Sequence, residues 1–174
     1  MKYKDEPGFV GAKFYSGIGL DGPNPNIALD NPGLDGIYDM AVKYNFPILV
    51  HTWGSEGYPA APNRFRRALK RHPELKLIVG HAGGDRYGHM ETIELMREYP
   101  NVYYDITGTE FGHLWLKDLV RMTDPKRILY GSDLGGMDNR HYTGMVGFAE
   151  IDPEIKLDIF GRNAKRLLDS LSHT

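Results

Sequence analysis

The chain has 174 residues, 41% hydrophobic and 25% charged, which fits one globular domain over residues 1–174. Lys and Arg number 21 against 23 Asp and Glu, a net charge of −2, so the basic surplus that grips a phosphate backbone is missing and nucleic acid is not an expected partner. Cysteine is absent, which excludes thiolate metal sites and disulfides; no apolar run is long enough for a membrane, and Met1–Glu6 lacks a secretory core, so a cytoplasmic enzyme or binding domain is expected.

In chain order, the run Phe9–Phe14 reads as a strand, and the Gly/Pro/Asn-rich stretch from Ser16 to Pro32 as a long loop. A helix follows, carrying Leu34, Ile37, Tyr38, Ala41 and Val42 on one face, with Asn31 as its cap and Pro32 in its first turn. Pro47–His51 is a second strand. Phe65, Ala68 and Leu69 mark a helix opened by Pro62 and closed near His72 and Pro73. Leu75–His81, Asn101–Asp105 and Arg127–Asp133 read as further strands, separated by helices around Ile93 and Met96 and around Leu116, Leu119 and Val120. Pro153 to Leu171 reads as one or two helices, restarted at Asn163. The strands are continuously apolar, as in a parallel sheet covered on both faces, so the fold class is α/β with about five parallel strands and covering helices.

The ionisable residues fall at strand ends. His51, His81, Asp105 and Asp133 each close or follow a strand, and in parallel α/β folds those ends open onto one mouth. Two imidazoles and a carboxylate suit Zn²⁺, with Mn²⁺ or Fe²⁺ as alternatives. A blander reading stays open for each: buried core histidines for His51 and His81, a helix cap for Asp133, an ordinary surface charge for Arg86. Asp105 is either a partner that orients a histidine or a turn residue, and His72, His89, His113, His141 and His173 read as solvated.

The segments Val50-His51-Thr52, Gly80-His81-Ala82-Gly83-Gly84 and Gly131-Ser132-Asp133 resemble signatures of the amidohydrolase superfamily, in its amidohydrolase-related branch of metal-dependent hydrolases and decarboxylases. Gly11-Ala12-Lys13-Phe14 resembles a preceding strand of that group, and Arg162–Leu168 its C-terminal helix. The resemblance implies strands four to eight of a TIM (β/α)8 barrel, hence a partial barrel. It implies metal ligation by His51 and Asp133, with His81 either a further metal ligand or the residue that polarises or protonates substrate, and Asp133 and His81 as catalytic residues. Lys13, Arg86 and Trp53 are the candidate substrate-binding residues, with Tyr58 nearby in sequence to Trp53.

The expected activity is hydrolysis of a C–N or C–O bond of a small polar substrate by metal-activated water. The alternatives are a metal-dependent decarboxylase on the same scaffold and a catalytically silent half-barrel. No His-x-His occurs in the sequence, although the family's first strand carries one. An open parallel sheet leaves an edge and a face uncovered, so a homo-oligomer or a partner completing the barrel is expected.

Overall fold

The structure is a computed structural model that describes residues 6–15, 27–108 and 113–171. Five strands, β1 (Ala12–Tyr15), β2 (Ile48–His51), β3 (Leu77–Gly80), β4 (Val102–Asp105) and β5 (Ile128–Leu129), form one sheet in sequence order. All neighbours are parallel, in a register that sets Lys13 beside Leu49, Leu49 beside Ile78, and Tyr15 beside His51. Each strand is shorter than its apolar run, and most of the long loop expected from Ser16 lies outside the described residues.

The strands are not buried equally on both faces. Ile48, Val50, Leu77, Val79, Val102, Tyr104 and Ile128 are fully buried in one core. That core also contains Tyr38 and Ala41 of α1 (Asp35–Lys43), Phe65 and Leu69 of α2 (Phe65–Arg71) and Ile93 and Met96 of α3 (Arg86–Glu98). Leu116 and Leu119 of α4 (His113–Met122) also belong to it. The alternate residues Lys13, Tyr15, Leu49, His51 and Ile78 remain partly or largely exposed. The expectation of strands covered on both faces is therefore corrected: period-2 alternation puts one set of side chains under the helices and leaves the other face half-open.

Local signals explain where the helices begin. Asn31 Oδ1 accepts the Gly33 N–H at 2.8 Å, as its cap position predicts, on a short turn (Pro32–Leu34) that leads into α1. Asp85 caps α3 through the Gly88 N–H. One helix, α5 (Asn139–Phe148), was not anticipated; Asp138 caps it, and Tyr142, Met145 and Val146 are its buried side. Next come α6 (Pro153–Leu157), a single π turn and α7 (Asn163–Asp169). The buried Asn163 amide donates to the carbonyls of Pro125 and Ile128 at 2.8 and 2.7 Å, which fastens the C-terminal helices to β5. Ala164, Leu167 and Leu168 then border a cavity of about 310 Å³ against Leu49, Ile78 and Leu129 on the open face. No helix among the described residues is long and apolar enough to cross a membrane.

Candidate active site

The C-terminal ends of β1, β2 and β3 bring Tyr15, His51 and Gly80 into one row. Gly80 is needed there, because a Cβ would stand 2.7 Å from the Val50 carbonyl oxygen. The chain then turns through four successive left-handed residues, with φ of 61° at His81, 44° at Ala82, 91° at Gly83 and 72° at Gly84. For the two residues with side chains this conformation costs about 1–2 kcal/mol each, so the surroundings must hold it. Thr52 does so on one side: its hydroxyl donates to the Gly80 carbonyl and accepts the Gly83 N–H, both at 2.8 Å. Gly83 packs against the backbone of Gly88 and Gly84 lies under the Trp53 ring, each too closely for a Cβ.

This turn swings the His81 ring back over the strand ends. His81 Nε2 and His51 Nδ1 are 3.1 Å apart, and the two rings meet edge to face with centroids 4.4 Å apart. On its other side His81 Nδ1 is 3.2 Å from the Thr107 carbonyl oxygen. A carbonyl only accepts, so Nδ1 carries the proton. In the neutral pair the His81 Nε2 lone pair then accepts a hydrogen bond from His51 Nδ1–H.

His51 is stacked on Tyr15 at 4.8 Å and lies beside Trp53 at 6.4 Å. Burial, then His81 and then Lys13 push its pKa down to about 4, with Asp133 pulling the other way. Lys13 projects from β1 with its ammonium 5.2 Å from the Tyr15 ring centroid.

The structure thus brings His51, His81, Trp53 and Lys13 together and adds Tyr15, which the sequence reading passed over. Tyr15 was legible in principle, as the residue one strand period beyond Lys13. Asp133 follows β5 in an exposed loop with φ 50°; it is felt by His51 but hydrogen-bonds to neither imidazole. Arg86 opens α3, exposed and unbonded to the pair among the described residues. Tyr58 lies against Gly54. The other histidines divide: His113 and His141 are exposed as expected, His173 lies outside the described residues, and His72 and His89 are buried, contrary to expectation. His72 fits between Asp35 and Asp39 of α1, and the Nδ1 of His89 meets the Tyr104 hydroxyl behind the sheet.

The expected ligand set of His51, His81 and Asp133 is not assembled among the described residues. No group of three His, Asp or Glu side chains among the described residues is placed to hold a metal ion. A catalytic zinc takes three protein donors. Here His51 and His81 spend facing nitrogens on each other, and the carboxylate of Asp133 stays at the exposed rim. The residues present do not fit a closed metal centre.

The amidohydrolase family model matches residues 1–169. Comparison with curated proteins gives no match. Among solved structures, 2,6-dihydroxybenzoate decarboxylase from Rhizobium superposes with a TM-score of 0.70 at 19% identity, over 97% of this chain and 65% of that one. A dihydroxybenzoic acid decarboxylase from Polaromonas, with bound manganese and the inhibitor 2-nitroresorcinol, gives 0.71 at 17% identity over 97% and 63%. The 4-oxalomesaconate hydratase of Rhodopseudomonas palustris gives 0.61 at 19% identity over 97% and 59%. This chain therefore spans less than two thirds of the length of these structures, and its five-stranded sheet is a partial TIM barrel.

Proposed function

The chain belongs to the amidohydrolase family, and from that premise we propose that it is a decarboxylase acting on a small aromatic carboxylic acid. The observation that carries this reading is the hydrogen-bonded His51–His81 pair with exposed ring surface of Tyr15 and Trp53 on either side. The aromatic faces suit a planar substrate. Lys13 on β1 supplies a cation for its carboxylate, with Arg86 as a second at the rim. The dihydroxybenzoate decarboxylases among the solved structures support the substrate class.

The chemistry follows from the tautomers. Loss of carbon dioxide leaves the electron pair of the broken C–C bond on the ring carbon, which must then take a proton. When His81 is an imidazolium, its Nδ1–H stays on Thr107 and its Nε2–H donates to His51 Nδ1, so the proton of His51 sits on Nε2. Transfer of that Nε2 proton to carbon, with the bridging proton moving from His81 to His51 Nδ1, returns the pair to its neutral form. One proton is consumed for each carbon dioxide released, and solvent replaces it.

Metal-assisted hydrolysis, the leading expectation from sequence, requires a complete ligand set that the described residues do not supply. A divalent cation at this mouth, zinc or the manganese seen in the Polaromonas relative, belongs to this reading only with donors beyond them. We also infer a second chain along β1, whose one strand partner among the described residues is β2; sedimentation as a monomer at all concentrations would remove that inference.

The test is a product assay. Protein incubated with a panel of hydroxybenzoates, with and without added manganese or zinc, releases carbon dioxide if the reading holds. Cleavage of esters, lactones or amides without carbon dioxide release would establish the hydrolase instead.

A further inference from the structure

Asp105 closes β4, is buried, and is not part of the imidazole pair. Its Oδ2 accepts the His81 N–H at 3.2 Å, while its Oδ1 accepts the Thr107 N–H at 3.2 Å and the Thr107 hydroxyl. One carboxylate therefore holds two backbone segments: the first residue of the left-handed turn and the residue whose carbonyl faces His81 Nδ1. Its partners are N–H and O–H donors, and it forms no ion pair among the described residues. A buried carboxylate is costly unless such donors satisfy it, so its presence here needs a reason beyond filling space.

The neighbouring glycines show how closely the arrangement is fitted. A Cβ at Gly131 would stand 2.6 Å from Asp105 Oδ1 and 2.4 Å from Thr107 Oγ1. A Cβ at Gly108 (φ +68°) would stand 2.3 Å from His81 Nδ1, so the ring lies directly on bare backbone. Tyr142 of α5 accepts the Gly108 N–H at 2.8 Å and fixes that backbone from outside. Three strand exits thus converge on the unreactive edge of one imidazole.

We propose that Asp105 is a positioning residue: by tying the His81 and Thr107 backbones together it keeps the Thr107 carbonyl on His81 Nδ1–H and so aims the His81 Nε2 at His51. The proposal rests on the pair being the working centre of the site, but it concerns the tautomer of His81 and holds whether or not a substrate is known. Asp105 never touches the reacting atoms. Its effect is to fix which ring nitrogen carries the proton.

The test is nitrogen-15 NMR of histidine-labelled protein at about pH 8, above the ordinary histidine pKa of about 6.5. In the unaltered chain the two His81 ring nitrogens should give widely separated signals, one protonated and one bare. Asp105→Asn removes one acceptor, and Gly131→Ala displaces the carboxylate without changing it. In both variants the two His81 signals should move toward a common averaged position, while the His89 ring, behind the sheet against Tyr104, keeps its signals and reports an intact fold. Retention of the separated His81 pattern in either folded variant overturns the proposal. Loss of the His89 pattern in both would make Asp105 a general structural residue and also overturn it. A chain that shows the tautomer change yet releases no carbon dioxide would sink the decarboxylase reading and leave the positioning role standing.

Discussion

His51 and His81 are 30 positions apart in sequence, yet their facing ring nitrogens are 3.1 Å apart at the open end of the sheet. The contact depends on two features that act in opposite directions. Parallel pairing brings the ends of β2 and β3 side by side, and a left-handed turn then reverses the direction in which His81 would otherwise leave the strand.

Thr52 is the first point at which this arrangement can be weakened without touching either imidazole. Thr52→Val keeps the shape but removes the hydroxyl that donates to Gly80 and accepts from Gly83. The Gly83 N–H is then left buried without that acceptor, and the expected cost is about 1–3 kcal/mol. Urea unfolding should show a lower midpoint at unchanged m-value.

Gly83 should tolerate even less. Its φ of 91° and the 2.4 Å approach of a built Cβ to Gly88 Cα combine a conformational penalty with a backbone clash that no rotamer relieves. Gly83→Ala should lose more than about 2 kcal/mol, counting both effects, as read by the thermal midpoint. Gly57→Ala is the matching control, since that glycine also has positive φ but open space around it.

Stability should fall as the solution is acidified from neutral, and His89 is one clear reason. Burial pushes its pKa down to about 4 from 6.5, so the fold keeps it neutral. The unfolded chain takes up a proton as pH falls through about 6.5, and the folded chain does so only near 4. The stabilisation is therefore complete above the upper value and disappears through the window between them, at up to about 1.4 kcal/mol per pH unit. His51, also lowered to about 4, first by burial and then by His81 and Lys13, adds a slope of the same sign. Urea midpoints measured from about pH 7 to about pH 5 should show this slope, and His89→Gln should reduce it.

These sites also show what was legible beforehand. Asn31 and Pro32 marked the entry to the first helix, and continuous apolar runs ending in His51, His81 and Asp105 placed three strand ends, because parallel strands bury side chains independently of loop geometry. The tautomer of His81 was not legible: it depends on the Thr107 carbonyl and on positive φ at His81 and Ala82, which nothing in the residue types announces. The buried state of His89 had a signal, since His89, Ile93 and Met96 share the i, i+4, i+7 face of α3. His72 lacked one, because it follows α2 and is buried by its contacts with α1. The glycines at 144 and 147 masked the apolar spacing of Tyr142, Met145 and Val146 and hid α5. Asp133 was read from its place after β5, but its backbone turns at φ 50° and leaves it at the rim.

The source of the replacing proton is what most directly distinguishes imidazole-driven decarboxylation at this pair. In deuterium oxide, a hydroxybenzoate turned over by this protein should lose carbon dioxide and carry one deuterium on the vacated carbon. His51→Gln and His81→Gln should each slow that exchange by at least about 100-fold. Undiminished release in both variants, or a product that has instead gained a solvent hydroxyl, would contradict it.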